Sequence, residues 1–125
     1  MMSPNDYQKA AHSFASYGEN PMYPVLGLAE ESGEFCGKWA KFIRKHDGAA
    51  PQWYDQKNRT VHEDYGKDAE DFRVAAAREL GDVLWMCAEC CELLGLTLEQ
   101  IMQDNIDKLL DRKNRGVIVG EGDNR

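Results

Sequence analysis

The feature that most constrains the fold is a long helical pattern between residues 68 and 94. Its apolar residues recur at spacings of three and four and share one arc of a helical wheel: Leu80, Val83, Met86, Cys87, Cys90, Leu93 and Leu94. This spacing is typical of an amphipathic α-helix that buries one face, and Gly95 is placed to end it. Because such a helix must cover its apolar face against other elements, the pattern favours an all-α fold.

Capping signals predict three more helices. Ser3-Pro4 is an N-cap residue followed by proline at the first helical position, and Thr97 with Gln100 has the capping-box pattern. The predicted helices cover approximately residues 4–17, 24–45, 68–94 and 97–116. Between them we expect a long polar loop at about 46–67, and after them a tail at 117–125, in which 117–119 is the one candidate strand. The length of 125 residues indicates a single domain, 1–125.

Composition excludes several functional classes. The net charge of −7 is opposite in sign to that of a typical nonspecific nucleic-acid binder. No apolar run approaches the ~20 residues of a membrane span, and the N-terminal residues lack the basic and apolar parts of a signal peptide. We therefore expect a cytoplasmic protein that binds neither nucleic acid nor membrane.

Two pairs of carboxylates occupy unusual positions on the predicted helices. Glu31 and Glu34 border the apolar stripe of the second helix, Glu79 points into the apolar arc of the third, and Asp82 lies beside it. A carboxylate in an apolar arc is costly unless it is paired or bound to metal. If the pairs face each other, their oxygens suit a hard cation such as Mg²⁺ or Mn²⁺, which would also offset their mutual repulsion.

Ordinary ion pairs are the simpler alternative. Glu34 and Lys38 have the i,i+4 spacing of a surface pair on one helix. Arg73 or Arg78 could neutralise Glu79 in the same way. Under this interpretation the acidic residues stabilise helices and bind no ligand.

Two other metal chemistries fit less well. A di-iron bundle needs a Glu-x-x-His motif on two helices, but the residues three positions after Glu31 and Glu79 are acidic. Cys87-x-x-Cys90 is half of a zinc motif without a second pair. We therefore expect the four cysteines to be buried thiols.

The fourth helix carries a polar, basic stripe. Its members follow the spacing i, i+3, i+7, i+10: Asn105, Lys108, Arg112 and Arg115. One interpretation is a solvated face paired with Asp104, Asp107 and Asp111. The other is a clamp for phosphate oxygens, which together with an acidic metal site would serve phosphoanhydride chemistry.

These blocks, taken in order, resemble one known family. Glu31-x-x-Glu34 followed by Glu79-Leu80-Gly81-Asp82 is similar to the ExxE and ExxD signature of MazG-type all-α nucleoside triphosphate pyrophosphohydrolases. The stripe of the fourth helix and the tail at 120–125 are typical of compact members, many of them from phages. The resemblance covers about residues 20–45 and 74–125. The 44-residue gap between the motifs is longer than usual, and the extra loop could be a lid, a base-binding element or an oligomer contact.

The resemblance implies a fold and a reaction. It implies an antiparallel four-helix bundle that assembles as a homodimer or homotetramer. Members hydrolyse a nucleoside triphosphate between the α and β phosphates, giving a monophosphate and pyrophosphate. Two or three Mg²⁺ (or Mn²⁺) ions would be held by Glu31, Glu34, Glu79 and Asp82, with Glu31 as the base and Glu30 as its helper.

The resemblance also suggests substrate contacts. Lys38, Lys108 and Arg112 would hold the β and γ phosphates or the leaving pyrophosphate, and Asn105 would contact sugar or phosphate. The candidates for holding the base are aromatic: Phe14, Trp39, Trp53 and Trp85.

Several functions stay open at this point. The enzyme would either divert one nucleotide in a phage-infected cell, for instance dGTP to dGMP, or remove noncanonical nucleotides from the pool. A MazG-like module that binds nucleotides without turnover is a second class of function. A purely structural helical protein is the third.

Overall fold

A computed structural model describes residues 1–48, 54–55, 60–61 and 66–122 of the chain. The helices are α1 Pro4–His12, α2 Met22–Lys45, α3 Lys67–Leu94 and α4 Leu98–Asn114. Two short strands, β1 Tyr54–Asp55 and β2 Thr60–Val61, pair antiparallel, with Tyr54 opposite Val61. The predicted all-helical architecture is confirmed for the described residues, with this small ladder as an addition.

The capping signals formed as predicted. The Asp6 amide donates to Ser3 Oγ at 3.1 Å, and the Gln100 amide donates to Thr97 Oγ1 at 3.2 Å, while the Thr97 amide donates back to the Gln100 side chain. Each cap satisfies amides that a helix N-terminus leaves without intrahelical partners.

The predicted end of the first helix was wrong. α1 ends at His12 instead of Tyr17, and Ser13 follows it as the C-cap. The Ser13 hydroxyl donates to the Ala10 carbonyl at 2.6 Å, a local bond that competes with helix continuation. The chain then turns, and this turn allows the Tyr17 hydroxyl to reach a carboxylate on α3.

The one candidate strand did not form. Residues 117–119 form no strand, because the chain leaves α4 through Gly116 at a φ of 71° and continues in bends. The β pairing lies instead inside the predicted 46–67 loop. Some parts of that loop lie outside the described residues, namely 49–53, 56–59 and 62–65. The last three residues of the tail, 123–125, lie outside them too.

Contacts divide the chain into two compact units. The first contains residues 1–19 and 88–125, and the second contains residues 20–87. A single MazG-like domain over 1–125 stays a prediction. No described helix is both long enough and apolar enough to cross a bilayer.

The second unit is built on an antiparallel pairing of α2 with α3. As α2 advances from Lys38 to Lys45, its partners on α3 run backward from Glu79 to Asp68. Farther along the pair, Gly27 is buried where a Cβ atom would lie 2.5 Å from the Met86 sulfur. Glycine therefore lets the two helices approach closely at this point.

Aromatic rings hold the other end of this pair. The Phe72 ring lies 4.9 Å from the centroids of both Trp39 and Phe42. Phe72 is buried, so the cluster forms the apolar contact that fixes the register of α2 against α3.

Gln8 joins three segments of the first unit. Its side-chain amide donates to Glu92 at 2.8 Å and to the Leu96 carbonyl at 3.0 Å. Its carbonyl accepts from the Leu98 amide at the start of α4. A buried side chain thus satisfies backbone groups at the α3–α4 connection.

Burial of the predicted apolar arc is incomplete. Met86 is buried, but Leu80, Leu93 and Leu94 are exposed in the single chain. The exposed apolar side chains of α4 are Ile101, Met102, Ile106, Leu109 and Leu110. All four cysteines are free thiols, but the prediction that they are buried holds only for Cys91, because Cys87 and Cys90 are half-buried and Cys36 is exposed. Assembly into a four-helix bundle and a homo-oligomer stays a prediction.

Candidate metal centre

Three carboxylates meet in the second unit, one from α2 and two from α3. Glu31, Glu79 and Asp82 each offer an oxygen, and these oxygens lie within 4.8 Å of one another. Glu79 and Asp82 are three residues apart and so share one face of α3. The α2–α3 pairing brings that face to Glu31. We call these three residues the carboxylate cluster.

The charges of the cluster act most strongly on Glu31. Burial raises the pKa of this half-buried carboxyl, and the negative charges of Asp82, Glu34, Glu30 and Glu79 raise it further. Like charges held this close oppose each other's ionisation. A hard divalent cation would relieve that repulsion, and an all-oxygen donor set is the one that such cations prefer. The residues present therefore fit the predicted Mg²⁺ or Mn²⁺.

Lys38 of α2 pairs with Glu79 of α3 and so partly neutralises the cluster. Lys38 Nζ lies 3.1 Å from Glu79 Oε1, and both side chains are mostly shielded from solvent. Among the described residues, Lys38 contacts Glu79 instead of its i,i+4 neighbour Glu34, and Arg73 pairs with Glu70 at 2.9 Å. Lys38 crosses between helices because the antiparallel pairing places it opposite Glu79.

A groove of about 440 Å³ opens beside the cluster. Its charged walls are Glu30, Glu34, Lys38, Lys41 and Glu79, and two glycines of α2 also line it. A groove that combines carboxylates with ammonium groups can hold a cation and a phosphate together. Glu34 belongs to this wall and lies outside the three-carboxylate cluster.

The predicted residues of α4 belong to the first unit. Asn105 and Lys108 are exposed, whereas Arg112 is buried, with only 5% of its surface accessible. Arg115 pairs with Asp111 at 2.7 Å. The stripe is therefore not uniformly solvated, because its third member is buried within the fold.

The predicted base contacts differ in their surroundings. Trp39 packs edge-on against Phe72, so it contributes to the helix–helix contact. Phe14 is 73% exposed. Trp85 has a buried indole nitrogen for which the described residues provide no hydrogen-bond partner. Trp53 lies outside the described residues.

One buried carboxylate was missed by sequence reasoning. Glu89 is completely buried, accepts a hydrogen bond from the Tyr17 hydroxyl and lies 3.0 Å from His12 Nδ1. Burial raises the pKa of Tyr17 most, and the hydrogen bond to Glu89 raises it further, to about 12. The hydrogen bond to Glu89 also raises the pKa of His12. The available signal was the position of Glu89 at the edge of the apolar arc of α3.

Comparison with known proteins points to one family. The family model described as "MazG nucleotide pyrophosphohydrolase domain" matches residues 23–117. The chain is also similar to "Gene 37 protein" of Mycobacterium phage L5, at 36% identity over 127 aligned residues that cover 95% of this chain and 96% of that protein. No solved structure matches it. The matched range contains both carboxylate motifs and the basic residues of α4.

Proposed function

Because this chain belongs to the MazG nucleotide pyrophosphohydrolase family, we propose that it hydrolyses a (deoxy)nucleoside triphosphate between the α and β phosphates. The products are a nucleoside monophosphate and pyrophosphate. The observation that supports this most is the carboxylate cluster, whose Glu79 pairs with Lys38 and lies with it in the wall of one groove. Such a site can hold both the cation and the phosphates that the reaction requires.

The acidic residues divide the chemical work. Glu34, Glu79 and Asp82, together with Glu31, would hold two or three Mg²⁺ or Mn²⁺ ions. When bound, these ions supply charge neutralisation and water activation. Glu31 would take the proton of the attacking water, because one of its oxygens lies within 4.8 Å of oxygens of the two α3 carboxylates. Glu30, its neighbour on the groove wall, assists.

Lys38 changes partner during binding. In the structure its ammonium group lies 3.1 Å from Glu79. A cation held at Glu79 would offset the charge of that carboxylate, and the Lys38 ammonium group would then be available to the β and γ oxygens of the substrate. Lys41 lines the same groove and adds a second positive charge.

Residues of α4 are further candidates for contacts with the substrate. Asn105 and Lys108 are exposed and would contact sugar or phosphate. Arg112 would have to be uncovered before it could do so. We assign Trp39 to the contact between α2 and α3, because its ring packs on Phe72.

The exposed apolar side chains of α4 support assembly as a homodimer or homotetramer. Similarity to a mycobacteriophage protein favours the phage setting, in which one nucleotide is diverted in the infected cytoplasm. Removal of noncanonical nucleotides is the second setting.

Product analysis with a panel of nucleoside triphosphates tests the reaction. Monophosphate and pyrophosphate should form only when Mg²⁺ or Mn²⁺ is present. Glu79→Gln should lower kcat/KM by more than the roughly 10- to 100-fold that loss of an outer-shell partner costs, and Glu34→Gln should abolish turnover. Glu99→Gln, an exposed acidic position on α4, is the control and should keep full activity.

Two results would contradict the proposal. Unchanged turnover in Glu79→Gln would show that the carboxylate cluster has no role in hydrolysis. Absence of turnover with every nucleotide and both metals, combined with a nucleotide-dependent rise in Tm, would favour a binding module that does not hydrolyse.

A further inference from the structure

A second cleft continues from the proposed phosphate groove along α2 and α3. It has a volume of about 260 Å³ and shares Lys38 and Lys41 with the larger groove. All of its described lining residues belong to the second unit. Pockets for drug-sized ligands usually measure about 300–1,000 Å³, so this cleft suits one ring system better than a whole nucleotide.

The floor of the cleft is apolar and aromatic. Phe72 and Phe42 line it, with ring centroids 4.9 Å apart. His46 stacks on Phe42 at 4.2 Å with an interplanar angle of 24°. Flat apolar surfaces of this kind are what a heterocyclic base requires for stacking.

Polar groups border the same floor. Lys45 Nζ lies 3.2 Å from Asp68 Oδ2, so an ammonium donor and a carboxylate acceptor are adjacent at the rim. His46 Nε2 is shielded from solvent and 3.7 Å from Asp68, and no described residue gives it a hydrogen bond. Shielded polar atoms normally have a partner, and a ligand in the cleft would provide one.

The spacing along α3 connects this cleft to the reacting groups. Phe72 precedes Glu79 by seven residues, which is about 10 Å along a helix axis. The ribose of a nucleotide separates its α-phosphate from its base. A substrate whose phosphates lie beside Glu79 can therefore reach Phe72 with its base.

We propose that the cleft bounded by Phe42, Phe72, Lys45 and Asp68 is the base subsite, and that it selects guanine. The inference rests on the proposed pyrophosphohydrolase function. The Watson–Crick edge of guanine presents two adjacent N–H donors and one carbonyl acceptor. The Asp68 carboxylate accepts from both donors, and Lys45 donates to the carbonyl. No other standard base presents two donors beside one acceptor on that edge.

Hypoxanthine provides a sharp comparison, because it differs from guanine only in lacking the 2-amino group. The wild-type protein should hydrolyse dGTP with a kcat/KM about 10- to 100-fold above that for dITP, the discrimination expected for one hydrogen bond to a charged group. Asp68→Asn should reduce this ratio to about one, because the amide retains a single acceptor oxygen. Asp68 is more than half exposed, so the substitution should leave the fold intact.

Glu70→Gln is the matched control. Glu70 lies on the same helix, outside the cleft, and pairs with Arg73, so its substitution should leave the dGTP-to-dITP ratio unchanged. A wild-type protein that uses dITP as well as dGTP, or an Asp68→Asn protein that keeps the wild-type ratio, would overturn the base subsite while leaving the hydrolysis proposal intact.

Calorimetric binding of dGMP and dIMP without metal separates this inference from the reaction. The base subsite predicts tighter binding of dGMP to the wild-type protein and equal binding of both to Asp68→Asn. This measurement applies even if no triphosphate is hydrolysed. Equal affinity of the wild-type protein for dGMP and dIMP would refute guanine selection.

Discussion

Replacing Tyr17 by phenylalanine removes one hydroxyl, the donor that faces the fully buried carboxylate of Glu89. The carboxylate then keeps its hydrogen bond with His12. A hydrogen bond to a charged group contributes ~1.5–3 kcal/mol to the free energy of unfolding. We expect Tyr17→Phe to cost that amount, because a buried charge that loses a donor is not rehydrated.

Thermal unfolding followed by circular dichroism measures this cost. For a chain of this size, 1 kcal/mol corresponds to about 4 °C in Tm, so the expected decrease is ~6–12 °C. Tyr23→Phe is the control, because Tyr23 is half exposed and surface substitutions usually change stability by less than about 0.5 kcal/mol.

A double-mutant cycle assigns the cost to the hydrogen bond itself. In a Glu89→Gln background the acceptor is neutral, so Tyr17→Phe should cost only ~0.5–1.5 kcal/mol. A Tyr17→Phe protein as stable as the Tyr23→Phe control would refute the reasoning. An equal cost in both backgrounds would show that the charge of Glu89 is irrelevant to the effect.

Two further perturbations test other contacts. The hydrogen bond to Glu89 raises the pKa of His12 above its ordinary value of 6.5. Charged His12 therefore stabilises the fold below pH 6.5, and this contribution is lost as the pH rises through the folded pKa. In urea unfolding, His12→Gln should destabilise the protein more at about pH 5 than at about pH 9, and a pH-independent difference would contradict this. In Gly27→Ala, the added Cβ atom would lie 2.5 Å from the Met86 sulfur, and such crowding costs ~1–3 kcal/mol. The higher helix propensity of alanine returns ~1 kcal/mol, so the variant should be destabilised by ~1 kcal/mol. Gly33→Ala, where an added Cβ meets nothing within 4 Å, should stabilise, and equal Tm values for the two variants would rule out the clash.

The carboxylate cluster was the more predictable part of the molecule. The spacing of Glu79 and Asp82 places both on one face of a helix whatever the rest of the chain does. Their position in an apolar arc indicated a partner or a metal. The identity of the partner was not predictable, because pairing of Glu79 with Lys38 depends on how α2 lies against α3.

Local chemistry also explains which helix boundaries were predicted well. The caps at Ser3 and Thr97 join residues only three apart, so a short window of sequence contains the whole interaction. The end of α1 was predicted wrongly because the position of Tyr17 depends on its hydrogen bond with Glu89, which is 72 residues away.

The sequence by itself thus determined the helical class, the helix starts and the carboxylate motifs, since these depend on side-chain type and on periods of three to four residues. Tertiary structure alone decided that Lys38 neutralises Glu79, that Glu89 is buried beneath Tyr17, and that Lys45 and Asp68 meet at the rim of an aromatic cleft. Each of these contacts joins residues on different elements. Such contacts form only when the burial of apolar faces has set the positions of the helices against one another.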